Sequence, residues 1–201
     1  MHEFGLLTRR TVVAHANFLT ADDVALMART GASVAHCPLS NFYFANSVFP
    51  ARSGREQGLG MGLATDISGG YSPSMFDACR HAMTASLALH EGVDPAQTAA
   101  RRGRAGQGVQ ARIDHVFALW LATAAGGDAL DLPIGRIEPG HAMDALAVDC
   151  LAPDSNVQIW PEQDGPADIL QKIIHHATRA NVACTWVQGA CVHRRQAASP
   201  A

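Results

Sequence analysis

Three times in its first 66 residues this chain runs through a short apolar or β-branched stretch that ends on an ionisable side chain. Thr11-Val12-Val13-Ala14 ends at His15, Ala32-Ser33-Val34-Ala35 ends at His36-Cys37-Pro38, and Met61-Gly62-Leu63-Ala64-Thr65 ends at Asp66. Continuous apolar runs of that length read as strands covered on both faces. Helical segments follow them, and that alternation is how a parallel α/β fold reads in sequence.

The helical segments carry their own punctuation. Thr20 can cap a helix over residues 21–29, with Asp22 and Asp23 in its first turn and Gly31 as its stop. A longer helix begins near Ser72 or Pro73, with Met75, Cys79, Ala82, Met83 and Leu87 spaced for a core-facing stripe. Residues 92–112 turn to Gly, Ala, Gln and Arg without periodicity and read as an exposed loop. The next helix spans 113–125, presents Val116, Leu119, Trp120 and Thr123 on one side, and stops at Gly126-Gly127.

After Pro133 the pattern changes. Residues 134–140 are turn-rich, 145–149 alternate like a strand, and 182–187 form a second strand bounded by Gly189, with a helix over 167–178 between them. The expected organisation is an α/β part at 1–132 and a small β-rich accessory part at 133–201.

Composition excludes several classes of function. Hydrophobic residues make up 48% of the 201 and charged residues 16%, which is incompatible with intrinsic disorder. A formal net charge of -3 argues against a nucleic-acid partner, and the one basic run, Arg101, Arg102 and Arg104, reads as a solvated loop rather than a phosphate site. No window reaches the roughly 18 apolar residues of a membrane span. The five cysteines are scattered, odd in number and without a C-x-x-C pair, which suits free thiols and a soluble protein of the cytoplasm.

His15, His36 and Asp66 share one property, a place at the C-terminal end of a strand, where parallel α/β barrels keep their chemistry. Spacing alone favours a satisfied core or loop histidine at His15. It leaves Asp66 divided between a chemical role and a turn or cap, since Ser68-Gly69-Gly70 follows it.

Order and spacing of longer motifs carry a resemblance. Val13-Ala14-His15, His36-Cys37-Pro38-x-Ser40-Asn41 and Gly62-Leu63-Ala64-Thr65-Asp66 together resemble the sixth, seventh and eighth barrel strands of the amidohydrolase superfamily, in its purine and triazine deaminase or chlorohydrolase branch. Asp66-Ile67-Ser68-Gly69-Gly70-Tyr71-Ser72-x-Ser74-Met75 is similar to the segment after the barrel aspartate in guanine deaminases. Leu121-Ala122-Thr123-x-x-Gly126-Gly127-x-Ala129-Leu130 and Gly135-x-Ile137-Glu138-Pro139-Gly140-x-x-x-Asp144-Ala145 resemble the region where this superfamily closes its barrel and returns to a flanking β domain. The resemblance covers roughly residues 8–190.

It implies the C-terminal part of a TIM-type (β/α)8 barrel, followed by part of a β domain. The activity it implies is hydrolytic deamination of guanine to xanthine and ammonia with one zinc ion. Asp66 takes the place of the eighth-strand aspartate that ligates zinc and contacts the attacking water. His15 takes the place of the sixth-strand histidine that faces the substrate and stabilises the tetrahedral intermediate. His36, Ser40 and Asn41 are supporting residues, the last two holding a loop after the strand, and Tyr71 is divided equally between bordering the substrate pocket and packing. The complete enzyme is expected to be a homodimer acting on a small-molecule purine.

The family pattern also requires an H-x-H pair, a fifth-strand histidine and a proton-carrying glutamate, and none can be placed. The ten histidines include no H-x-H, and His175 and His176 diverge on a helix by about 100 degrees. A catalytic zinc generally takes three or more protein ligands, and three strands do not close an eight-stranded barrel. The expectation is therefore a fragment with little or no activity by itself, whose missing ligands would precede Met1. Another aminated purine, a pterin or a triazine is the alternative substrate, and a non-catalytic interaction module is the alternative class.

Overall fold

The computed structural model describes residues 1–45, 47–93 and 110–196. Two compact units divide the chain, Met1–Leu132 and Pro133–Ala201. The expected loop at 92–112, with Arg101, Arg102 and Arg104, lies largely outside the described residues.

The first unit is built on three parallel strands in the order β1 (Val12–Ala14), β2 (Ser33–His36) and β3 (Gly60–Leu63). Val13 pairs with Val34 and Val34 with Met61, so the three runs lie in register and their C-terminal ends share one edge. Between β1 and β2, helix α1 (Ala21–Thr30) starts on a capping box. The Thr20 hydroxyl accepts from the Asp23 amide at 3.2 Å, the Asp23 carboxylate accepts from the Thr20 amide at 2.9 Å, and Gly31 ends the helix at φ 76°. These are the caps the sequence predicts.

Two short helices, α2 (Pro38–Ala45) and α3 (Ala51–Glu56), join β2 to β3. The sequence reading makes residues 38–41 a loop; the structure makes them a helix. Pro38 occupies the first helical position, where its missing N–H costs nothing and its fixed φ favours the turn. The Asn41 amide then closes on the Cys37 carbonyl at 2.9 Å.

Helix α4 (Met75–Glu91) begins after Ser74, whose hydroxyl accepts from the Asp77 amide at 3.3 Å, slightly later than expected. Of its expected stripe, Cys79 and Ala82 are buried while Met75 and Leu87 are substantially exposed. The expected helix at 113–125 is two helices, α5 (His115–Ala122) and α6 (Ala124–Leu130). The break falls at Thr123, and α6 runs through Gly126-Gly127 instead of stopping there. Val116, expected on the inner side, is exposed, and Ala118 and Leu121 are buried in its place.

Gly126 faces the glycine of β3. A Cβ on Gly62 would stand 2.9 Å from the Gly126 Cα, so β3 and α6 approach as closely as two bare backbones allow. Behind them lies a core of Met27, Val34, Phe49, Leu59, Met61, Leu121 and Ala125. Gly62→Ala is expected to destabilise the first unit by about 1–3 kcal/mol through overpacking, because backbone rather than a movable side chain blocks the methyl. Urea denaturation checks this, and an unchanged midpoint would mean that α6 can withdraw freely.

In the second unit, β4 (Ala145–Val148), β5 (Val182–Val187) and β6 (Ala190–Arg194) form an antiparallel sheet in that order, with α7 (Pro166–His176) between β4 and β5. The sequence reading omits β6. Gln188 and Gly189 both take positive φ, 49° and 81°, and supply the two-residue turn a tight hairpin needs.

Candidate active site

Each of the two outer strands of the first unit hands over to its candidate residue through a left-handed backbone step. His15 has φ 67° and Asp66 φ 50°. His and Asp tolerate that region better than most residues, and departures of this kind cluster where a scaffold holds side chains for function. The sharp step lifts each side chain over the edge where the strands end.

The turn after Asp66 depends on the two glycines that follow. A Cβ on Gly69 would come within 2.5 Å of the Asp66 Oδ2, and one on Gly70 would collide with the Thr65 carbonyl. That is the physical content of the Asp66-x-x-Gly69-Gly70 pattern.

His15 and Asp66 face one another, with Nε2 of the imidazole 3.8 Å from Oδ2 of the carboxylate. The first turn of α2 braces both. The Ser40 hydroxyl donates to Asp66 Oδ2 at 2.6 Å, and His15 Nδ1 lies 2.9 Å from Asn41 Oδ1. A carbonyl oxygen can only accept, so Nδ1 carries the proton. Ser40 and Asn41 are almost wholly buried, 3% and 1% exposed. They hold the two chemical groups rather than a loop, which corrects the expectation drawn from the sequence.

These four residues line an open cavity of about 530 Å³ together with Ala16, Asn17, Phe18, Leu19 and Phe44. That volume falls in the range of small-molecule sites. Sequence reasoning missed the last five. Asn17 and Phe18 could have been flagged by following the chain past His15, whereas Phe44 needs the helix that the reading took for a loop.

His36 lies elsewhere. It is 1% exposed with its ring 5.3 Å from that of Phe49, and its Nδ1 is buried with no hydrogen-bond partner among the described residues. Burial pushes its pKa down to about 4, so the ring is neutral at pH 7. Neighbouring Cys37 has its thiol pushed up to about 11, first by burial and then by the negative charge of Asp66, against a smaller opposing hydrogen bond from the His15 backbone. It is a protonated thiol at neutral pH, not a thiolate nucleophile. Tyr71 does not line the cavity; it is 73% exposed, its ring set edge-on to His81 at 6.2 Å.

Among the described residues, no group of three or more His, Cys, Asp or Glu side chains is gathered closely enough to hold a metal ion. Asp66 fits one ligand position, but one carboxylate beside one imidazole does not make up the three protein ligands of a catalytic zinc. The described residues thus fit part of such a cage. All five cysteines are free, and among the described residues no helix is long and apolar enough to cross a membrane.

Parallel strands that bring an imidazole and a carboxylate to one edge define an α/β protein with a candidate site at its strand ends. The chain belongs to the amidohydrolase family, whose sequence model matches residues 1–192. A probable guanine deaminase of Schizosaccharomyces pombe is 32% identical over 193 residues, which make up 94% of this chain and 34% of the relative. Guanine deaminase of Mus musculus is 31% identical across 92% of this chain and 38% of its own length. Among solved structures, the guanine deaminase of E. coli superposes with a TM-score of 0.78 at 25% identity, over 97% of this chain and 42% of that one. An adenosine deaminase from Xanthomonas campestris with bound zinc superposes at 0.71, also with 25% identity, over 94% and 38%. The chain therefore spans between a third and a half of the length of the proteins it matches.

Proposed function

We propose that this chain supplies two catalytic groups, Asp66 and His15, to a zinc-dependent aminohydrolase that converts guanine and water to xanthine and ammonia. The observation that carries the proposal is the 3.8 Å pairing of His15 Nε2 with Asp66 Oδ2 across one cavity, on the ends of two strands of a parallel sheet. In this reading β1, β2 and β3 are the sixth, seventh and eighth strands of a (β/α)8 barrel, and residues 133–201 are part of its β-rich accessory domain. The family resemblance and the neighbouring structures support it.

Asp66 would hold the ion at the position where its carboxylate meets the cavity. When bound, a divalent ion at such a site supplies a water acidified to near neutral pH. Asp66 would be placed to accept a proton at its carboxylate as water adds to the ring carbon bearing the amine. His15 faces the same space and, once protonated at Nε2, offsets the negative charge that develops there. The amine leaves as ammonia when protons return to it. The remaining ligands and the proton-carrying glutamate come from outside these 201 residues, and the working enzyme is a cytoplasmic homodimer.

A second reading keeps the chemistry and changes the ring, because the zinc-bound adenosine deaminase is as similar in sequence as the E. coli guanine deaminase. Ammonia release from guanine, 8-oxoguanine, adenosine and melamine separates the two, measured on the native polypeptide that carries this sequence and on the 201-residue chain alone. Guanine turnover by the native polypeptide is expected, with background rates and well under one zinc per molecule for the chain alone. Turnover of adenosine or melamine without guanine would move the assignment, and one tightly bound zinc in the isolated chain would overturn the shared cage.

A further inference from the structure

We propose that Asn41 and Ser40, consecutive residues in the first turn of α2, are positioning residues: Asn41 accepts from His15 Nδ1 and so fixes the ring's tautomer and orientation with Nε2 toward the cavity, and Ser40 fixes which Asp66 oxygen faces it. The roles of His15 and Asp66 rest on the function proposed above; the hydrogen bonds themselves do not.

The geometry is specific. Asn41 Oδ1 stands 2.9 Å from His15 Nδ1, and Ser40 Oγ stands 2.6 Å from Asp66 Oδ2, the same oxygen that faces His15 Nε2 at 3.8 Å. Which imidazole nitrogen is protonated follows from the hydrogen bond made by the other. An amide oxygen that accepts at Nδ1 assigns the proton there, and the neutral ring then turns a bare Nε2 toward the carboxylate. Two lone-pair atoms 3.8 Å apart do not bond to each other, so the pair presents two acceptors to whatever donor or cation enters the cavity.

Burial makes Asn41 a firm constraint. Its Nδ2 is buried with no partner among the described residues, so within them His15 is the amide's side-chain partner. Two adjacent residues on one rigid turn hold groups from two different strands, and the spacing between imidazole and carboxylate is thereby set by a single helix. Residues of this kind, behind metal-site ligands, typically cost 10–100-fold in activity or metal affinity when removed.

Long-range ¹H–¹⁵N correlation of the imidazoles in the labelled 201-residue chain, with His15 assigned by its loss in His15→Asn, tests the proton's position directly. The Nδ1–H tautomer is expected in the parent and in Asn41→Asp, whose carboxylate still accepts, and the Nε2–H tautomer in Asn41→Ala. An Nε2–H parent would mean that the amide faces the other way and donates to Nδ1, and would overturn the proposal even if no variant folds. So would an Nδ1–H tautomer that survives in Asn41→Ala. In the native polypeptide, Asn41→Ala and Ser40→Ala are expected to lower kcat by roughly 10–100-fold, with KM changed less than about threefold and Ser40→Thr restoring activity. Loss of guanine turnover in the native parent would sink the substrate assignment and leave the tautomer result standing.

Discussion

Asp66→Asn in the native polypeptide is expected to lower guanine turnover by roughly 10²–10⁴-fold, or about 3–5 kcal/mol of barrier, while the protein stays folded. Asparagine has the same shape, accepts the Ser40 hydrogen bond through its own carbonyl, and tolerates the φ of 50° at this position. What it lacks is the negative charge, and with it the ability to take a proton and to ligate a hard cation strongly. Glutamate is the poorer control, since an added methylene would drive the carboxylate into the tight turn where a Cβ on Gly69 already has no room. Zinc content and ammonia release, measured beside a thermal unfolding curve, separate loss of chemistry from loss of fold. Activity within about threefold of the parent would remove Asp66 from the reaction.

The strands that place this residue were legible because buried parallel strands announce themselves as uninterrupted apolar runs, and the caps of α1 because Thr20, Asp23 and Gly31 each have one strong local use. Where tertiary packing overruled local preference, the reading failed. Gly126-Gly127 is a helix breaker in isolation, but here it lies inside α6, whose backbone at Gly126 packs against the bare backbone of Gly62. Pro38 suggests an interruption until it is seen to start α2. Strand β6 was hidden behind Gln188, a residue seldom credited with the left-handed turn it makes. At the site, His15 and Asp66 stood out as ionisable ends of apolar runs. The bonds from Ser40 and Asn41 span 26 residues each and could not be read from spacing.

His36 has the opposite character, and it leads to a second large effect. As pH falls from 6.5 to 4, the first unit is expected to lose about 3 kcal/mol of stability through this one ring. Its ordinary pKa of 6.5 applies to the unfolded chain, while burial lowers the folded value to about 4. The unfolded state therefore takes up a proton through pH 6.5 and the folded state resists until pH 4, so stability is full above 6.5 and drains across that interval. Carboxylates held below their usual range, such as Asp149 by the hydrogen bond from Arg195 and Asp164 by that from Lys172, also weaken the fold on acidification. Their loss begins only near the ordinary carboxylate pKa, at the acid end of the interval. His36→Asn removes the titrating ring and leaves those carboxylates in place, so urea denaturation from pH 7.5 to 4.5 should show the two stability curves converging as pH falls. Parallel curves would mean that water or a counter-charge reaches His36, and that its place behind the strand ends is not the dry interior that Phe49 and an Nδ1 without a partner among the described residues define.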